Sequence, residues 1–360
     1  MRGLYIHVPF CIQKCLYCNF FSVQYNDILA DKYIYALLKH AVKFKDKKID
    51  SVYIGGGTPS VLSLRQLQKL LQSLYKIFDL SRVLEFTFEL NPESVSKEKL
   101  HFLKEIGVNR LSVGLQSVDD MSLKFLGRIH DFKTFCDVYD IARKESFDNI
   151  NIDLMYGLPG QKLEDWEQII KKILIFNSEH LSLYPLSVEE DTQFYRSNVI
   201  VCDDVQRNMY DRATEILTSK GYIHYEISNW SKQNRESFHN TNYWRNFEYI
   251  GLGAGSAGYL ERKRYKNVED VSRYIGLLKN GCNAEIENEY INDRIYSVET
   301  IILGLRLLDE GLDVSCFKKP EHYNILLRCL KDKTLKIKDG KIKLAKKYVF
   351  VFNQIASKFT

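Results

Sequence analysis

A chain of 360 residues with 45% hydrophobic content can bury a large core, so one large domain with a small appendage is the expectation. A net charge of +5 marks neither a nucleic-acid binder nor a strongly acidic protein, and eight cysteines over this length are not a disulfide framework. No apolar run approaches the roughly 20 residues that span a bilayer, and the first residues carry no secretory cleavage pattern, so a cytoplasmic location is expected, with a peripheral membrane contact left open.

Leu4, Ile6 and Val8 alternate as in a strand that Pro9 ends. Cys11, Cys15 and Cys18 follow at once in the spacing C-x3-C-x2-C, and apolar residues at helical spacing over 31–44 complete a strand-loop-helix unit. The same unit recurs. Strands are predicted over 51–54, 83–90, 110–115, 150–155 and 181–186, separated by helical patterns, the second of them opened by Ser63 and Gln66 as a capping box. Six strands alternating with helices imply parallel pairing, and residues of chemical interest fall at successive strand C-termini. That combination favours an α/β fold, an open (β/α)6 partial barrel of the TIM type, over a doubly wound sheet.

Beyond residue 186 a helix over 203–219 and a strand over 222–227 are predicted, and 231–237 is a loop. A helix over 297–308, another over 321–330, a hairpin turning at Asp339-Gly340 and a last helix from Lys346 suggest a small winged-helix-like C-terminal domain. The predicted organisation is a barrel domain over 1–230, a connecting segment over 231–289 and the small domain over 290–360.

Three thiolates in one short loop can turn onto one metal centre, and soft sulfur selects zinc, copper(I) or an iron-sulfur cluster. A structural zinc site wants a fourth Cys or His, which does not follow nearby; a four-iron cluster on three cysteines leaves one iron open. Gly55-Gly56-Gly57-Thr58-Pro59 after the second strand exposes backbone to a ligand. Glu89, Gln116 and Asp153 are polar residues in or at the end of apolar strands. One alone would be a satisfied core group, whereas several along one rim converge on something polar. Arg128 reads equally well as a solvated helix residue.

The cysteine motif, with Tyr17 before its last Cys, resembles that of the radical S-adenosylmethionine enzymes, and Tyr5-Ile6-His7-Val8-Pro9-Phe10-Cys11 resembles the branch holding the oxygen-independent coproporphyrinogen III oxidases and the heme chaperones. The resemblance covers roughly residues 1–350. It implies a 4Fe-4S cluster on Cys11, Cys15 and Cys18, whose open iron chelates S-adenosyl-L-methionine. It also implies cofactor contacts at Tyr5, Tyr17, Gly56, Gly57, Thr58, Glu89, Gln116, Arg128 and Asp153, some of them to a second S-adenosylmethionine.

Phe20 stands where the oxidases carry a fourth cysteine, and the ten residues before Cys11 leave no room for their N-terminal arm. His239-Asn240-Thr241-Asn242-Tyr243-Trp244 matches the H-N-x-x-Y-W motif of the heme chaperones. The resemblance therefore implies heme contact at His239, heme or porphyrin and acceptor hemoproteins as partners, and an electron donor. A coproporphyrinogen oxidase is the alternative. The lysines from Lys331 to Lys347 read as a solvated face, so no nucleic acid is expected.

Overall fold

The computed structural model describes residues 1–360. Its centre is six parallel strands paired in chain order: β1 (Arg2–Val8), β2 (Ser51–Gly56), β3 (Glu85–Leu90), β4 (Arg110–Gln116), β5 (Ile150–Tyr156) and β6 (His180–Pro185). Helices α1 (Asp27–Ala41), α2 (Leu64–Ile77), α3 (Lys97–Glu105), α4 (Phe132–Lys144) and α5 (Leu163–Leu174) make the crossovers. In α2 the capping box forms as expected: Gln66 N donates to Ser63 Oγ at 3.3 Å, and Ser63 N to Gln66 Oε1 at 3.0 Å.

Strand alternation sorts the barrel into two surfaces. Leu4, Ile6, Val52, Ile54, Phe86, Phe88, Leu111, Val113, Ile152, Leu154, Leu181 and Leu183 belong to the apolar core. The alternate positions are polar: Tyr5, His7, Tyr53, Thr87, Glu89, Arg110, Ser112, Asn151, Asp153, His180 and Ser182. A polar interior in a barrel this small marks a site, because a structural barrel fills the same space with branched apolar side chains.

The sheet does not stop at six strands. After α6 (Asp203–Ser219), β7 (Ile223–Glu226) and β8 (Asn229–Ser231) extend the β6 edge in antiparallel fashion. Beyond α7 (Phe238–Trp244), β9 (Glu248–Leu252) pairs parallel with β1, and β10 (Ala257–Leu260), β11 (Lys263–Asn267) and β12 (Glu285–Tyr290) continue outward to twelve strands. The segment expected as a connection thus builds a third of the sheet. Its glycines concealed this. A Cβ on Gly251 would stand 1.8 Å from the Ala257 carbonyl oxygen, so β9 and β10 meet only through a residue that reads as a turn former.

Helix α8 (Val271–Lys279) packs on α1, and the C-terminal unit follows: α9 (Asp293–Gly304), β13 (Leu312–Asp313), α10 (Pro320–Lys331) and the hairpin β14 (Leu335–Lys338) and β15 (Lys341–Leu344). Helix, strand, helix and hairpin follow one another, and the three short strands pair in the order β13-β15-β14. The last helix does not start at Lys346. A 3-10 turn over Lys346–Tyr348 and a five-residue helix, Phe352–Ala356, take its place, which lets Val349, Phe352, Ile355 and Phe359 all turn inward. No helix is long and apolar enough to cross a membrane.

Candidate functional site

Pro9 ends β1 and delivers the cysteine loop to the C-terminal rim of the barrel. Phe10–Cys11 pairs with Val23–Gln24, which anchors one end of the loop, and Leu16 N donates to Leu126 O at 3.1 Å across its far side. The glycine segment after β2 lies against it. Thr58 N donates to Phe10 O at 2.8 Å, and Thr58 Oγ1 to Cys11 Sγ at 3.5 Å. Gly56 turns at φ +112°, which no L side chain adopts at ease, and a Cβ on Gly57 would stand 2.8 Å from Phe10 O and 3.1 Å from Cys11 Sγ. On the other flank Arg128 donates to Cys15 Sγ at 3.4 Å and to Asn91 Oδ1 at 2.8 Å, and also to Gly114 O.

The three loop cysteines are free and half-buried, and burial pushes the thiols of Cys11 and Cys18 upward. No three His, Cys, Asp or Glu side chains converge closely enough for a single metal ion. A multi-iron cluster asks for no such convergence, since each thiolate takes a different iron.

Below the loop opens a cavity of about 420 Å³ lined by Cys11, Cys15, Tyr17, Cys18, Gly56, Gly57, Thr58, Glu89, Gln116, Arg128 and Asp153, among others. Every cofactor-contact candidate but Tyr5 lies there. Glu89 accepts from Tyr53 Oη at 2.5 Å and Gly56 N at 3.1 Å, and burial raises its carboxyl to about 7. Asp153, also pushed up by burial, accepts from Asn151 Nδ2 at 2.8 Å and Ser112 Oγ at 3.2 Å. Gln116 holds a left-handed φ of 72° where the β4–β5 register shifts, a bulge that aims its side chain into the cavity. Three thiols under a rim of backbone amides, two carboxyls and a guanidinium fit a cluster and a zwitterionic nucleoside-like cofactor.

Tyr5 and His239 lie elsewhere, in an aromatic cavity of about 570 Å³ that Tyr53, Asn240, Tyr243, Trp244, Tyr249 and Tyr259 also line, between the barrel and α9. Glu85 holds α7 in place, accepting from Phe238 N at 2.7 Å and His239 N at 3.0 Å. His239 is 1% exposed, and both its ring nitrogens are engaged: Nδ1 with Ser51 Oγ at 2.8 Å, Nε2 with Tyr243 Oη at 2.8 Å. Neither ring nitrogen is therefore free in this arrangement. Burial, aided by the Arg110 charge, lowers its imidazole to about 3 and keeps it neutral. A third cleft of about 560 Å³, lined by Glu85, Asn109, Asp148, Asp309 and Glu310 among others, includes none of the predicted site residues.

Residues 5–173 match the family model of the radical SAM superfamily, the class that the barrel and its cysteine loop define. The chain is 38% identical to the heme chaperone HemW of Lactococcus lactis over 85% of its own length and 81% of that protein's. It is 37% identical to HemW of Bacillus subtilis, over 85% and 83% respectively. The chain belongs to this heme chaperone family within the radical SAM superfamily. Among solved structures, the coproporphyrinogen III oxidase HemN of Escherichia coli superposes with a TM-score of 0.87 over 99% of this chain and 89% of that one, at 21% identity, which speaks to the shared fold alone.

Proposed function

We propose that the protein carries heme in the aromatic cavity and hands it to acceptor hemoproteins, with a 4Fe-4S cluster and S-adenosylmethionine in the adjoining polar cavity. The observation that carries this reading is the aromatic cavity itself, where the H-N-x-x-Y-W residues His239, Tyr243 and Trp244 line a space of about 570 Å³. Phenol and indole faces suit a flat macrocycle. The relatives named as heme chaperones support it. Bound S-adenosylmethionine would supply one-electron chemistry to the site, and Cys11, Cys15, Cys18, Glu89, Arg128 and Asp153 would hold and orient the two groups. An electron donor, a cytoplasmic setting and an optional membrane contact complete the proposal.

Parallel titration of the reconstituted protein with heme and with coproporphyrinogen III tests it. Stable heme binding without turnover of the porphyrinogen is expected, and decarboxylated product without heme binding would replace the reading with that of an oxidase. Glu89→Gln and Asp153→Asn should each weaken S-adenosylmethionine by about tenfold or more in calorimetry, the scale of a hydrogen bond to a charged group, while the cluster absorbance stays. Wild-type affinity in both would remove these residues from the site.

For His239 to reach heme iron, the Tyr243 hydroxyl must leave Nε2. Tyr243→Phe removes that competitor and should retain the wild-type Soret band, whereas His239→Ala should shift the band through loss of the axial nitrogen. An unchanged spectrum in His239→Ala would assign the iron to another ligand.

A further inference from the structure

We propose that Arg110 forms a carboxylate-binding chamber deep in the barrel, distinct from the cluster rim. Arg110 is 1% exposed, and its Nε is buried without a partner. The guanidinium donates no hydrogen bond within the chain, yet it lines the polar cavity. A buried Nε without a partner, on a guanidinium whose other nitrogens donate to no protein acceptor, is costly unless something in the cavity accepts from them. The nearby acids feel its charge but accept no hydrogen bond from it: Glu89 accepts from Tyr53 and Gly56, and Asp153 from Asn151 and Ser112.

The ligand chemistry follows from position and charge. Arg110 begins β4, whereas the Gly114 carbonyl that Arg128 holds lies four residues along the strand, about 13 Å away. A molecule whose amino-acid end is held at the cysteine loop cannot bring that same carboxylate to Arg110, so the anion belongs to a second molecule. A planar carboxylate meets the guanidinium fork with two parallel bonds, and its single charge suits a chamber already holding Glu89 and Asp153 better than a phosphate would. The strand register places Tyr5, Tyr53, Thr87 and Arg110 on one level. Tyr53 and Asn240 wall both this cavity and the aromatic one. The one guanidinium that lines the aromatic cavity itself, Arg264, is already paired with Glu289 at 3.1 Å and Glu299 at 2.5 Å. The carboxylate is therefore either a small free acid or the acid arm of a ligand in the aromatic cavity, the latter resting on the heme reading above.

The test is spectroscopic titration of the full-length protein with hemin and with hemin dimethyl ester, alongside thermal shifts with millimolar propionate, for wild type, Arg110→Met and Arg110→Lys. Wild type should prefer the diacid by about tenfold or more, the scale of charge-assisted hydrogen bonds. Arg110→Met should bind both forms with the ester's affinity, since a thioether of similar length fills the space but offers the acid no donor. A full acid preference in Arg110→Met overturns the arm. Should wild type bind neither macrocycle, the heme reading fails by itself, and propionate decides the chamber: a rise in melting temperature lost in Arg110→Met supports it, and equal shifts in both overturn it. If Arg110→Met does not fold, Arg110→Lys serves the same comparison, because a lysine keeps the charge but loses the fork.

Discussion

Replacing Cys11, Cys15 or Cys18 by alanine is expected to abolish the 4Fe-4S cluster, read as loss of its visible absorbance and of the bound iron and sulfide after anaerobic reconstitution. The loop gives each thiol its own setting: Cys11 beside Thr58, Cys15 beside Arg128, Cys18 closing a turn onto the Cys15 carbonyl. None can stand in for another. Burial already favours the protonated thiols of Cys11 and Cys18, so binding must draw their protons off, and a two-ligand remnant would have to do so with one thiolate fewer. The five other cysteines lie outside the cavity lining, and Cys136→Ala or Cys329→Ala should leave the cluster at wild-type content. A full complement of iron in all three loop variants would place the cluster elsewhere.

Much of this site could be read from residue spacing, and the part that could not was hidden by strand periodicity. Thiols at C-x3-C-x2-C announce themselves, and so do Glu89 and Asp153, because a carboxyl among Phe86, Phe88, Ile152 and Leu154 needs a partner. Arg110, Ser112 and Asn151 carry no such signal. In a strand that alternates apolar and polar residues, a polar row facing a barrel interior looks the same as one facing water, and only the closure of the sheet tells them apart. Their signal lay in the agreement of several strands, each polar at the alternate positions. His239 differs: its motif lines the aromatic cavity, but the bond that occupies Nδ1 comes from Ser51, 188 residues away in sequence, and no local pattern contains it.

Acid should destabilise the protein, and Glu89→Gln should make it worse. Burial lowers the imidazoles of His40 to about 3, His224 to about 4 and His239 to about 3, against an ordinary value of 6.5. Below 6.5 the unfolded chain takes up protons that the native state refuses, so stability present above 6.5 is lost as pH falls towards these depressed values. At about 1.4 kcal/mol per unit for each group, the three lose about 4 kcal/mol between pH 7.5 and 5.5. His7 and His180, also lowered by burial, act in the same sense.

Glu89 acts in the opposite sense. Its carboxyl is raised from 4.5 to about 7, so the native state binds a proton that the unfolded chain releases, and stability is gained as pH falls through 7. Over the same interval that gain is about 2 kcal/mol, and Asp153 and Glu226, raised by burial, work alongside it. Glutamine keeps the acceptor for Tyr53 but cannot titrate. The drop in melting temperature from pH 7.5 to 5.5, measured on the cofactor-free chain at constant ionic strength, should therefore be larger in Glu89→Gln than in wild type by the equivalent of about 2 kcal/mol, or about 3 °C for a chain of this size. An equal or smaller drop in the variant would mean that Glu89 is ionised throughout, held by Arg110 rather than left to Tyr53 and Gly56. In that case the guanidinium would no longer be idle, and the same measurement would also argue against its chamber.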